Sequence, residues 1–215
     1  RLVPANRFVN REDFLSRTHG IAFGDSPAQG VTRGSEFFHG ELGFALRFPK
    51  DWKIQNRPDR LLGMNPARKA GVEMALAEKP EGAPADFLRH SFRLGFGTEI
   101  ASLSVNGLPA ATALTTTPKG APMLAAAVYF KHQAYVFKGM AADDNIFRKN
   151  RAGMLETVKS FHALTEEERK LAKPLTIKTV IAKAGMSYRE LARASKLGKH
   201  AESILRLINA TYPAG

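Results

Sequence analysis

The chain has 215 residues, 44% of them apolar, with 32 Lys and Arg against 20 Asp and Glu and no Cys. Length and composition suit one large or two small globular domains of about 100 to 200 residues each. They exclude disulfides and thiolate metal sites, and no apolar run approaches the roughly 18 residues of a membrane span.

The net charge of +12 favours an anionic partner such as nucleic acid, phospholipid or an acidic polymer, and it is uneven. From Arg169 onward ten Lys and Arg face only Glu190 and Glu202, a net +8. No basic-then-apolar leader precedes Arg1, and a start at Arg rather than Met reads as a processed or cut piece.

In chain order, Asn10 to Thr18 reads as a short helix, capped by Asn10, with Glu12 and Asp13 in the first turn and Gly20 ending it. Gly24 to Gly34 is rich in turn formers and is expected as an ordered loop; it lacks the G-x-x-x-x-G-K-[ST] pattern of a phosphate cradle. The rest of the chain is organised around Phe37 to Trp52. Phe44, Leu46 and Phe48 alternate with Ala45 and Arg47, the period of a strand with one buried face; Pro49 stops the pairing, Lys50-Asp51 turns the chain and Trp52 lids it.

Leu61 to Met64 and Val72 to Ala77 are short strands, and Pro84 to Leu94 is a helix whose Phe87, Leu88, Phe92 and Leu94 face a sheet. Four strands come next, Glu99 to Val105, Ala110 to Thr117, Met123 to Phe130 and Ala134 to Met140. Asn106-Gly107, Pro118 to Gly120 and Lys131 to Gln133 punctuate them, connections short enough for antiparallel hairpins. Asp144 to Ser160 is a helix with an apolar stripe of Ile146, Phe147, Met154, Leu155 and Val158.

The fold class is therefore α+β, an antiparallel sheet packed with helices. The charged Thr165 to Pro174 stretch is the best domain boundary. Beyond it come a strand from Leu175 to Ile181, a turn at Gly185, a helix opened by a Ser187/Glu190 capping box, and a second helix from Ala201 to Ile208. So small a unit needs a closing strand or a neighbour. The expected layout is an N-terminal helix and linker (1–35), a sandwich domain (36–165), a charged linker (166–174) and a small basic domain (175–215).

Chemistry is sparse. Six histidines, at 19, 39, 90, 132, 162 and 200, show no H-E-x-x-H spacing, and His39 with Glu41 or His90 with Glu99 are the pairs that folding could bring together. Asp143-Asp144 fits a helix cap better than an acid–base pair. The basic tail has only Tyr188 and Tyr212 for stacking and no helix-turn-helix, so a nucleic-acid reader is not expected. No catalytic or metal constellation is legible.

Three resemblances add to this. Gly20 to Gly34, followed by Phe38-His39, Leu42-Gly43-Phe44, Phe48-Pro49 and Gly107 to Ala111, resembles the region after the catalytic domain in bacterial periplasmic zinc metallopeptidases of the HtpX/BepA-like group. Gly40 stands where that family usually has proline, and the likeness spans Gly20 to Phe161. The segment from Phe44 onward is also similar to the PsbP/Mog-type α+β sandwich, where a strand ends in Pro-x-x-Trp. The tail, Thr179 to Asn209, resembles a LysM module, with Gly185-Met186-Ser187 in place of the usual Gly-Asp-Thr.

The metallopeptidase likeness implies a non-catalytic accessory region of a secreted, periplasmic peptidase. Its zinc would sit in a catalytic domain outside this chain, with cell-wall glycan or envelope proteins as partners. The LysM likeness implies a sugar groove formed by Gly185, Met186, Ser187, Tyr188, Asn209 and Tyr212. The alternative is a stand-alone PsbP/Mog-like assembly or protein-binding module.

Overall fold

The computed structural model describes residues 11–24, 28–78, 81–181, 183–209 and 211. Asn10, the expected cap of the first helix, lies outside them. In chain order the first elements are α1 (Arg11–Thr18), β1 (Ala22–Phe23), β2 (Val31–Arg33), β3 (Glu36–His39), β4 (Phe44–Arg47), β5 (Lys53–Asn56), β6 (Leu61–Met64), β7 (Ala70–Glu78) and α2 (Pro84–Ser91). Then come β8 (Ile100–Val105), β9 (Leu108–Thr116), β10 (Pro122–Phe130), β11 (Gln133–Ala141), α3 (Asp144–Lys159), β12 (His162–Ala163), α4 (Glu166–Leu171), β13 (Leu175–Thr176), α5 (Tyr188–Ala194) and α6 (Ala201–Ile208).

The chain divides into two compact units, Asp25–Pro174 and a smaller one assembled from Arg1–Gly24 and Leu175–Gly215. The larger is an α+β sandwich. Its seven-stranded sheet runs β5-β6-β7-β11-β10-β9-β8 and its four-stranded sheet β12-β4-β3-β2, antiparallel throughout.

The hairpins arise where the turn residues dictate. Val105 pairs with Leu108 across Asn106-Gly107, and both turn residues have positive φ (49° and 82°). That is the type I′ geometry whose twist matches the strands it joins. Asn106 Nδ2 also donates to the carbonyls of Lys159 (2.9 Å) and Phe161 (2.8 Å), tying the hairpin to the end of α3.

β10, between β11 and β9, is buried on both faces. Leu124, Ala126, Val128 and Phe130 enter the main core with Phe37, Phe44 and Leu46 of the smaller sheet, Phe48 just after β4, and Phe147, Met154 and Val158 of α3. On the opposite face Ala125 and Ala127, with Ala111 and Ala113 of β9, form a flat alanine floor for Leu88 of α2 and for Leu94. Small side chains let the helix approach closely. Each fully buried Leu, Val, Met or Phe here contributes about 1.5–3 kcal/mol, and α3 inserts three. Asp143 starts α3 as read from sequence, its Oδ1 accepting from Ile146 N at 2.8 Å.

Several expectations need correction, among them the strand expected from Leu175 to Ile181, which spans only Leu175–Thr176. Ala45, expected to face away from the core, is 2% exposed, because Phe38, Leu164 and Ala172 cover the second face of β4. Residues 166–174, expected as a linker, begin with α4, whose Thr165/Glu168 capping box satisfies its first turn, and this segment belongs to the sandwich unit. The 24–34 stretch, expected as a loop, contains β2, since Val31 is fully buried on the sheet edge. In the smaller unit β1 pairs with β13, Phe23 opposite Leu175, so the N-terminal segment supplies a closing strand to the C-terminal one.

Candidate functional site

The residues expected to line a groove lie around the start of α5 and the end of α6. Gly185 turns the chain with φ +84°, and Met186 N donates to Lys183 O at 3.1 Å. Ser187 then caps α5. Its Oγ accepts from Glu190 N at 3.3 Å while the Glu190 carboxylate accepts from Ser187 N at 2.8 Å. The Ser187 N–H, and then its hydroxyl, hold the Glu190 carboxyl below its usual range.

Tyr188, the first residue of α5, is half-buried, with the Arg206 guanidinium 5.1 Å from its ring centroid. Arg206 is itself fixed by Glu202, whose Oε1 accepts from Nη2 at 3.0 Å and from Nε at 3.1 Å. Asn209 ends α6 and returns its Nδ2 to Leu205 O at 2.8 Å. Met186 is exposed, and Tyr212 lies outside the described residues.

The structure thus joins Tyr188 to α6 through Arg206. No hydrogen bond or ring contact joins Asn209 to 185–188 among the described residues. Glu202 and Arg206 were not singled out from sequence, although their i,i+4 spacing on a helix is a recognisable ion-pair signal.

A second polar cluster, on the sandwich, was also missed. His162 on β12 lies in a cleft of about 390 Å³ with Glu36, Arg47, Asn106, Lys159 and Glu168. Its Nε2 is 2.8 Å from Glu168 Oε1 and its Nδ1 2.6 Å from Ser160 O, so both ring nitrogens face acceptors. Only the imidazolium donates to both. Burial disfavours that charge, but the hydrogen bonds to Ser160 and Glu168 outweigh it and hold the His162 pKa above its ordinary value. With both nitrogens engaged, His162 acts as an electrostatic tie between β12 and α4 rather than as a base.

His39 takes the opposite state. Burial against Phe37 and Phe44 pushes its pKa down, with Glu41 opposing, and its Nδ1 accepts from Leu42 N at 3.3 Å. Among the described residues no hydrogen bond or ion pair joins His90 to Glu99, and no group of three His, Asp or Glu side chains comes together to hold a metal ion. The zinc implied by the resemblance finds no ligand set in these residues. A second cleft, of about 520 Å³, is lined by Asp86, Arg89, His90, Arg93, Leu94 and Phe96.

No family model and no curated protein matches the chain. Among solved structures it is similar to cyanobacterial PsbP (CyanoP) from Synechocystis sp. PCC 6803, at 12% identity and a TM-score of 0.45 over 66% of this chain and 98% of that one. It is similar to the Saccharomyces cerevisiae Ran-binding protein Mog1p at 11% identity and a TM-score of 0.41, over 64% and 98%. It is also similar to LpqN, involved in cell envelope biogenesis of Mycobacterium tuberculosis, at 14% identity and a TM-score of 0.39, over 75% and 100%.

Proposed function

We propose that the chain is a non-catalytic binding module of a cell-envelope protein. Its basic C-terminal segment would hold the protein on cell-wall glycan, and its sandwich would meet protein clients. The observation that carries this is the surface of that segment. From Leu175 onward Ala201 alone is buried among the described residues, while Val180, Ile181, Met186, Leu207 and Ile208 are exposed beside seven Lys and Arg. Apolar side chains interspersed with cations suit a polymer that offers both sugar faces and carboxylates.

Gly185, Met186, Ser187, Tyr188, Asn209 and Tyr212 would line the glycan groove. The ordered motif from Gly20 to Pro49, with Gly107 to Ala111, supports a zinc peptidase as parent. The zinc would then be held by a catalytic domain outside these residues, in the periplasm.

The test is co-sedimentation of the full chain with insoluble peptidoglycan at low and high salt. Retention that survives salt and falls in Tyr188→Ala and Asn209→Ala variants of unchanged helicity is expected, since groove contacts outlast charge screening. Retention that disappears with salt, or is indifferent to both substitutions, would overturn the glycan reading.

A further inference from the structure

One edge of the seven-stranded sheet is left open. β8 is its terminal strand, paired only with β9 among the described residues, and alternate residues of such a strand turn their N–H and C=O groups outward. Proteins ordinarily blunt an edge of this kind with Lys, Pro or a bulge. β8 reads Ile-Ala-Ser-Leu-Ser-Val in unbroken register, without charge or proline, and Ala101, Ser102 and Ser104 are exposed. The opposite edge is handled differently. β5 carries Lys53, and Asn56 Nδ2 donates to Gln29 O at 2.6 Å.

A second, independent feature adjoins β8. Phe96, between Gly95 and Gly97, is 100% exposed, although burying a ring of this size stabilises by about 1.5–3 kcal/mol. Its loop is nonetheless held in place. Arg89 Nη1 donates to Gly95 O at 2.9 Å and its guanidinium lies 6.0 Å from the Phe96 ring. Arg93 sits in the left-handed region at φ +50°, a conformation that costs a non-glycine residue about 1–3 kcal/mol and concentrates at ligand clamps.

Leu94 of the same loop is buried in the cluster against which Ile100, the first residue of β8, packs. The loop that carries Phe96 and the first residue of the open strand therefore meet at one buried cluster. Within the cleft Asp86 accepts from Ala83 N at 3.4 Å, Arg89 keeps donors beyond the one given to Gly95 O and Arg93 is exposed, so both guanidinium groups can meet a ligand.

We propose that β8 and the Phe96 loop bind an extended segment of a partner protein. The segment adds to the sheet as a further strand, lays an apolar side chain on Phe96 and sets a carboxylate beside Arg89 and Arg93. Main-chain hydrogen bonds to the uncharged edge would provide affinity, and the ring and the two arginines would provide selectivity. This surface belongs to the sandwich and stands whether or not the C-terminal unit holds glycan.

The experiment is selection of a phage-displayed library of random twelve-residue peptides on the full chain. The enriched sequences are then made as synthetic peptides and measured by fluorescence anisotropy, with amide hydrogen exchange read along β8. The expected peptides alternate apolar residues with an acidic residue among them. They slow exchange in Ile100–Val105, and lose about tenfold or more in affinity for Phe96→Ala and Arg93→Glu, the factor that one lost ring contact corresponds to.

Absence of enrichment, unchanged binding to both variants, or unchanged exchange in β8 would overturn the proposal. Self-association of the chain that buries β8 in sedimentation and exchange measurements would overturn it in favour of a second copy as occupant.

Discussion

Replacing Gly63 by alanine probes how closely the two sheets of the sandwich are fitted. Gly63 lies on β6 between Ile54 and Val72, and its φ is outside the left-handed region, so its role is space rather than backbone freedom. A Cβ added there would fall onto the Phe48 ring, meeting Cδ1 and Cε1. Phe48 is only 2% exposed, inside the main core, so the ring has little room to yield. Overpacking by one methyl group costs about 1–3 kcal/mol, against a gain of about 0.4–1 kcal/mol from the stiffer unfolded chain.

The middles of these ranges, about 2 and about 0.7, leave a net loss of about 1.3 kcal/mol, which for a unit of this size lowers Tm by roughly 3–5 °C. Thermal melts followed by circular dichroism measure it. Phe48→Leu alone should also destabilise, by about 1–3 kcal/mol. In the double variant, however, the new methyl group occupies space the ring has left, and the two losses should fall short of their sum by about 1 kcal/mol. A Gly63→Ala protein as stable as wild type, or strict additivity in the double variant, would refute the packing argument.

The His162–Glu168 tie predicts a pH window. The raised His162 pKa contributes stability that is complete below its ordinary value of 6.5 and is lost as pH rises through the folded value. Burial opposes the Glu168 charge, but hydrogen bonds from Thr165 and His162 lower its pKa, so its contribution is complete above 4.5 and is lost as pH falls through the folded value. Urea titrations of wild type and His162→Gln should therefore differ most between these two values, by about 1 kcal/mol or less for so accessible a pair, and converge toward pH 9.

Asp143→Ala should cost about 0.5–2 kcal/mol by removing the cap of α3, with Asp143→Ser restoring most of it in the same titration. Burial pushes the Tyr135 phenol up to about 12, so absorbance titration should show it silent at pH 10.5, where exposed tyrosines ionise.

Much of the sandwich was legible because its signals are local. Asn106-Gly107, Lys131 to Gln133 and the 3.6-residue stripe of α3 each act within a few residues, and hairpins and helix fall where these cues place them. The second buried face of β4 was not legible, because Ala45 is covered by Leu164 and Ala172, more than a hundred residues away in the chain. Helix α2 stops at Ser91 rather than continuing to Leu94, since Arg93 adopts a left-handed turn that no glycine announces. In the C-terminal unit Ser187 and Glu190 declared their cap from sequence alone, whereas the contact of Arg206 with Tyr188 needed the two helices to meet. The His162 cluster left no motif, because its members come from separate elements.

The pairing of β1 with β13 has a consequence for how the molecule is made. The strand ending at Phe23 has to wait for Leu175, with the whole sandwich synthesised in between. At about 5–20 residues per second that delay is roughly 8–30 s. Closing a loop of that length in an unfolded chain costs about (3/2)RT ln n, of order 4 kcal/mol, more than a two-residue pairing returns. The sandwich therefore folds first and shortens the loop, and the small unit assembles last. A nascent chain stalled before Leu175 would carry a finished sandwich and an orphaned β1.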